Sequence, residues 1–254
     1  MEEKFKQVIE LFKEQTKREC YKIVLDDEKP TVYDNKLGGT PYLPVGVEYP
    51  VDGEGKPMAL LFQVDMKDVD LAGYPKAGIL QVYLDSECGW PCQYTIKYLR
   101  ENLPVQENIP TITSDNFFVM QEKKFHLEKA VSYMSFADYR FSDTISKIVS
   151  SVYGEQVDYV DFDEFFGDFD WLDVFLESVS SPWATIGGWA DFTQNDPRDC
   201  RGDKEREMCL FKLDSNLDND VIMVGDSGIV FGLISQEDIN NCAFDEALVD
   251  WDCC

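Results

Sequence analysis

A single histidine, His126, serves the whole of this 254-residue chain. Histidine is the side chain that ordinarily titrates near neutrality and the commonest transition-metal ligand. With one of it, a catalytic triad has only one candidate base, and a histidine-built metal centre lacks ligands. Basic residues are also scarce: 23 Lys and Arg face 49 Asp and Glu, a formal net charge of −26. Such a surface repels phosphate backbones and anionic lipid, which argues against nucleic-acid and membrane-surface partners. No apolar run approaches the roughly 18 residues of a membrane-crossing helix. Met1-Glu2-Glu3-Lys4 lacks the basic-then-apolar layout of a secretion signal. A cytoplasmic protein is the expectation. Phosphate-loop and dinucleotide-binding glycine fingerprints are missing too, and no cofactor is expected.

Eight cysteines are present, and their placement fits a reducing compartment. Cys20, Cys200, Cys209 and Cys242 are scattered, whereas Cys88 and Cys92 form one close pair and Cys253 and Cys254 another. A four-thiolate zinc site would have to use those two pairs, whose spacing is poor for tetrahedral ligation. Free thiols and no metal are expected. The terminal Cys-Cys also lacks the polybasic approach of a prenylated tail.

What the chain does have is a repeated spacing. From Gly38 there are 27 residues to Asp65, which closes Ala59-Leu60-Leu61-Phe62-Gln63-Val64-Asp65; from Gly187 there are again 27 to Asp214, which closes Met208-Cys209-Leu210-Phe211-Lys212-Leu213-Asp214. Gly78-Ile79-Leu80 and Gly228-Ile229-Val230 follow at nearly equal distances. Alternation places Leu60, Phe62 and Val64 on the strand face matching Cys209, Phe211 and Leu213, with Gln63 and Lys212 opposite. A one-residue slip would invert that pattern, so the spacing predicts an internal duplication.

Around these units, residues 2 to 18 show helical spacing of Phe5, Val8, Ile9 and Phe12, and Tyr21 to Leu25 reads as a strand. Tyr94 to Leu99 and Phe117 to Met134 read as extended. Residues 139 to 152 and 162 to 176 return to helical spacing, and no Lys or Arg occurs from Ile148 to Pro197. Asp161, Asp168 and Asp173 lie on the acidic side of that stretch, either as solvated surface or as a docking face for a cationic partner. Ser235-Gln236-Glu237-Asp238 reads as a helix-capping box. The expected fold class is therefore α+β: a duplicated strand-rich unit forming two lobes, with a helical insertion between the repeats. The expected organisation is one domain over 1–254, with repeat one at about 20–100, the helical interruption at about 135–180 and repeat two at about 182–254.

Chemistry-bearing patterns are few. Gly225-Asp226-Ser227-Gly228 matches a serine-protease nucleophile loop, but His126 has no matching context and the glycines suit a turn. Asp214, Asn216, Asp218 and Asp220 alternate as in a calcium loop, yet Asn219 and Gly225 stand where Gly and Glu are needed. Asp65 and Asp214 would pair as acid and base if the repeats faced each other across a two-fold axis; otherwise each caps the turn after its strand. Arg198, the first basic residue after the long gap, either braces its loop through Asp196 or Asp226 or holds an anionic group.

Several of these segments together resemble the YwqG-like family, bacterial domains whose biochemical function is not established. The resemblance runs through Gly38-Gly39-Thr40-Pro41-Tyr42-Leu43-Pro44, Tyr49-Pro50, Gln63-Val64-Asp65 and Gly78-Ile79-Leu80. It continues through Gly187-Gly188, Gln194-Asn195-Asp196-Pro197-Arg198, Gly225-Asp226-Ser227-Gly228 and Trp251-Asp252-Cys253, with Val224 in place of the usual Trp. It implies a duplicated strand-rich fold and a relationship to the programmed cell death protein 2 group, which is linked to chaperoning of ribosomal proteins. Some members are associated with toxin-immunity neighbourhoods. Neither role supplies catalytic residues. The favoured expectation is a non-catalytic module that masks a basic protein client as an immunity-type or chaperone-type partner. The rival is an enzyme or small-ligand receptor using the cleft between lobes, with Asp65, Asp214, Arg198 and Asp226 near it; Gln194 and Asp196 are further ligand or partner candidates. Oligomeric state leaves no mark in the sequence.

Overall fold

The opening helix α1 (Glu2–Thr16) buries Phe5, Val8, Ile9 and Phe12, the stripe its 3.6-residue period sets on one side. The computed structural model of the chain describes residues 2–87, 93–100, 103–113, 117–166 and 171–253. After α1 come strands β1 (Arg18–Leu25), β2 (Lys36–Leu37), β3 (Ala59–Asp65), β4 (Ile79–Leu84), β5 (Tyr94–Leu99) and β6 (Lys123–Ser132). Helices α2 (Phe141–Tyr153), α3 (Phe162–Phe166) and α4 (Trp171–Ser178) follow, then β7 (Ala184–Gly187) and α5 (Pro197–Arg201). The chain closes through β8 (Met208–Asp214), β9 (Ile229–Ile234), α6 (Gln236–Asn241) and β10 (Leu248–Asp252).

All ten strands join one antiparallel sheet in the order β10-β9-β8-β7-β1-β6-β2-β3-β4-β5. The sheet curls until its ends approach. Tyr98 on β5 packs edge-on against Phe244, just before β10, with ring centroids 5.1 Å apart. Phe62 on β3 meets Phe211 on β8 at 4.8 Å, inside the curl. The result is a nearly closed, barrel-like sheet filled by apolar side chains from both halves.

The two-lobe α+β expectation with a helical insertion is thereby overturned. β1 pairs with β6 over eight residues, from Arg18↔Ser132 to Leu25↔Phe125, and its other edge pairs with β7. The first strand of the chain is thus bonded on one side to β6, at the chain's midpoint, and on the other to β7 of the second half, and no boundary separates lobes. The helices between β6 and β7 do not stand between repeats either. They join α1 in a layer rich in aromatic rings, where Phe12 and Phe175 lie 5.0 Å apart. The segment 117–134, expected as extended, contributes the long strand β6.

Two strand pairs in the sheet are built alike. β3 and β8 each end in an Asp whose carboxylate accepts from the amide two residues on, opening a short 3₁₀ turn before β4 and β9. Each pairing carries a register shift at the same place, between Leu60 and Phe62 and between Cys209 and Phe211. That bulge corrects the expected alternation. Leu60 and Cys209 do not share a face with Phe62 and Phe211, because the extra residue turns them outward into separate clusters. Gly187 has φ +76, and a Cβ there would run into Leu71, so this bend in the sheet demands glycine.

The Phe62–Phe211 contact supports a specific expectation. Phe211→Ala should lower the unfolding free energy by about 3–5 kcal/mol, and Phe62→Ala by a similar amount. In urea titrations of the single and double variants, a coupling of about 0.5–1.5 kcal/mol is expected. Strictly additive losses would show that the halves are not joined through this ring pair.

Candidate functional site

Of the residues singled out from sequence, Asp196 and Arg198 are bonded to each other, whereas no hydrogen bond or ion pair joins Asp65, Asp214 and Asp226 to them or to one another. Asp65 accepts from the Lys67 amide at 3.0 Å and pairs with the Lys67 ammonium. Asp214 accepts from the Asn216 amide at 2.7 Å, and burial pushes its carboxyl above the usual range. Asp226 is exposed in the turn before β9, and Ser227 beside it sits at φ +60. His126 lies on β6, its ring nitrogens directed to Asp26 at 2.8 Å and Glu128 at 3.4 Å. Its pKa is raised chiefly by the Asp26 hydrogen bond. No Ser227–His126 pair is formed. The Asp-rich loop uses Asp218 to bond the Asp220 amide, and no group of three or more metal-ligating side chains occurs among the described residues. Cys20, Cys200, Cys209, Cys242 and Cys253 are free, whereas Cys88, Cys92 and Cys254 lie outside the described residues. Burial pushes the Cys209 thiol up to about 12, so it stays protonated at neutral pH.

Arg198 is 1% exposed. Asp196 caps α5 by accepting from the Arg198 amide at 2.9 Å, with Pro197 in the first turn. The same carboxylate takes the Arg198 guanidinium at 2.6 and 2.9 Å. The guanidinium also reaches Asp138 at 2.8 Å, and Arg140 grips Asp138 with two bonds of 2.6 and 2.7 Å. Arg18 and Arg140 stack over Trp189, 3.6 and 4.6 Å from its ring centroid. Burial, with help from the like charge of Arg140, pushes the Arg18 guanidinium down to about 10, still protonated at neutral pH. This cluster is internal and leaves no face of Arg198 for a ligand. Gln194 is equally engaged: its amide donates to Asp252 at 3.0 Å and its side chain to the Cys253 carbonyl. The 194–198 segment thus bolts the end of the chain to the sheet.

The acidic stretch is partly visible. Asp161 and Asp173 are exposed, as are Glu155, Asp158 and Glu177, while Asp168 lies outside the described residues. Tyr159, next to Asp158 in the chain, is 69% exposed.

Sequence reasoning missed Lys212. It faces away from the Phe211 side, as does Gln63 at the matching place on β3, and both are buried under chain that crosses the sheet. Gln63 is saturated: it accepts from the Tyr42 amide and donates to the Val32 and Asp34 carbonyls, each at 2.8 Å. Lys212, 2% exposed, has instead only Asp191 nearby, at 3.9 Å, beyond hydrogen-bond length. Its ammonium lines a pocket of about 340 Å³ between the sheet and α4. Phe136, Leu176 and Trp183 stand at that pocket, and all three are exposed. The only hint in the sequence was a lysine inside an otherwise apolar strand.

Residues 35–253 match the family model described as "Domain of unknown function (DUF1963)". The chain belongs to that family. No curated protein matches it significantly.

The arginine cluster is expected to hold the fold. Arg198→Met should cost about 3–5 kcal/mol in urea unfolding at pH 7, because buried carboxylates then lose a counter-ion. Burial pushes the Asp138 carboxyl up, but the bonds from Arg140 and the charge of Arg198 outweigh it, and the net shift is downward. A carboxyl lowered in the folded state stabilises above its unfolded pKa, near 3.9, and that contribution fades as pH falls through the folded value. The stability gap between the native protein and Asp138→Asn should therefore be widest at neutral pH and narrow below about pH 4. A gap constant over that range would contradict the assignment.

Proposed function

We propose that this member of the DUF1963 family is a non-catalytic binding protein that holds a basic protein client against its acidic helical layer. The observation that carries the reading is the exposed set Glu155, Asp158, Asp161, Asp173 and Glu177, with the exposed Tyr159 next to Asp158 in the chain, in a stretch without one Lys or Arg of its own. Opposite charge speeds encounter, and an aromatic side chain at the contact supplies lasting affinity. That no hydrogen bond or ion pair joins Asp65, Asp214, Arg198 and Asp226 to one another argues against the enzyme using a cleft between lobes. Apolar side chains fill the interior between the two halves of the sheet.

Within the domains of unknown function, the ordered motifs from Gly38-Gly39 to Trp251-Asp252-Cys253 support a YwqG-like assignment. An immunity-type or chaperone-type role in a single-domain protein follows from that reading. The free thiols among the described residues suit the reducing cytoplasm, and the net charge of −26 disfavours nucleic-acid partners. No helix of the described residues is long and apolar enough to cross a membrane.

The test is affinity capture from the native lysate with the protein and with a variant carrying Asp158→Lys, Asp173→Lys and Glu177→Lys. A basic protein retained by the native chain at about 0.1 M salt should be lost at about 0.5 M, where screening acts over a few ångströms. It should also be lost on the reversed variant, whose melting temperature should be little changed. Equal capture by both chains, or no basic protein captured, would sink the reading.

A further inference from the structure

We propose that the pocket floored by Lys212 is a binding site for a free α-amino acid with an apolar side chain. The argument starts from an unmet requirement. The Lys212 side chain is 98% buried, yet no protein partner lies within hydrogen-bond distance of its three N–H groups at the pocket. Buried polar groups are nearly always bonded, and a charged one without an acceptor is costly. Lys36, the other fully buried lysine, shows the ordinary solution, donating to the carbonyls of Thr31 and Thr40. Lys212 instead faces open space of about 340 Å³, the small end of the range for small-molecule sites.

The charge arrangement selects the ligand. Asp191 holds one carboxylate oxygen in bonds from the Ser135 hydroxyl and the Phe192 amide. Its other oxygen faces Lys212 at 3.9 Å. A bare anion entering here would gain Lys212 but meet the Asp191 charge. A zwitterion satisfies both: its carboxylate accepts from Lys212 and its ammonium donates to Asp191. An α-amino acid carries its two charged groups on one carbon, a separation suited to this pair. Ser135, Ser180 and Ser181 also line the pocket, and the apolar part of its wall includes Phe136 at 50%, Leu176 at 37% and Trp183 at 54% exposure. Single exposed apolar residues are ordinary, but three around one cationic floor form a matching surface for a hydrophobic side chain.

The experiment is calorimetric titration of the full chain with L-phenylalanine, with 2-phenylethylamine, which lacks the carboxylate, and with 3-phenylpropanoate, which lacks the amine. L-Phenylalanine should bind saturably at one site, and each analogue about tenfold or more weakly, since each loses a charge-assisted bond. Lys212→Met should abolish binding of L-phenylalanine. Asp191→Asn should weaken L-phenylalanine while leaving 3-phenylpropanoate unchanged or tighter. Should Lys212→Met fail to fold, the analogue series on the native chain and the Asp191 variant decide. Equal affinity for 2-phenylethylamine would overturn the proposal. So would absence of binding by L-phenylalanine, L-leucine and L-tryptophan up to about 10 mM, or undiminished binding by a folded Lys212→Met.

Discussion

The pairing of β1 with β6 is the constraint on which the rest of the structure depends. It joins the strand that follows the first helix to a strand more than a hundred residues later, in eight consecutive pairs. Once made, it leaves one edge for β7 and one for β2, so both outer strand sets grow from the same seam. Closing so long a loop is entropically costly, although the cost rises only slowly with length. What offsets it is apolar burial on both faces: the filled interior on one side and the helical layer with Trp189 on the other. The Trp189 indole donates to the carbonyl of Thr16, and its amide to Ser132, so one residue clamps α1 and β6 together at the end of that seam.

The sheet's outward side shows how one position can serve two purposes. Gln63 and Lys212 occupy matching places on β3 and β8, each one residue after a buried phenylalanine. The amide of Gln63 carries both donors and an acceptor, and the segments crossing the sheet satisfy them. It behaves as a strut that fixes residues 32–42. An ammonium carries donors only, so the covering chain on the other half would have to bring carbonyls to it. It brings Asp191 to salt-bridge distance and stops there. Sheet geometry supplies the position, while the crossing loops decide between a strut and a site.

How much of this was legible depends on whether the signal is local. Helix α1, the spans 59–65 and 208–214, and the Ser235 cap, which accepts from the Asp238 amide at 3.0 Å, all rest on spacing within a few residues. The bulges do not, because an extra residue inside a continuously apolar run leaves the pattern unchanged. The Arg198–Asp196 pair sits inside one motif. Asp138, which the same guanidinium reaches, is 60 positions away, and no spacing connects them. The two-lobe picture failed for the same reason: equal spacing reports that two segments are alike, not which strands they bond. Lys212 was read as one more outward residue, since alternation gives direction but not what covers that face.

Charge ties the interior to the surface. The buried charged side chains among the described residues are Lys36, Arg198 and Lys212 against Asp138, Asp196 and Asp214, three of each sign. The interior is balanced, so the net charge of −26 resides outside it. That field extends about 10 Å at 0.1 M salt and acts on anything approaching. A cationic partner is drawn in, and a small anion is repelled before it reaches any pocket. A zwitterion feels almost no net force from such a field and is held only by contacts at the site. The acidity on which the proposed basic client rests therefore also filters what can settle beside Lys212, and it filters in favour of a neutral molecule with separated charges.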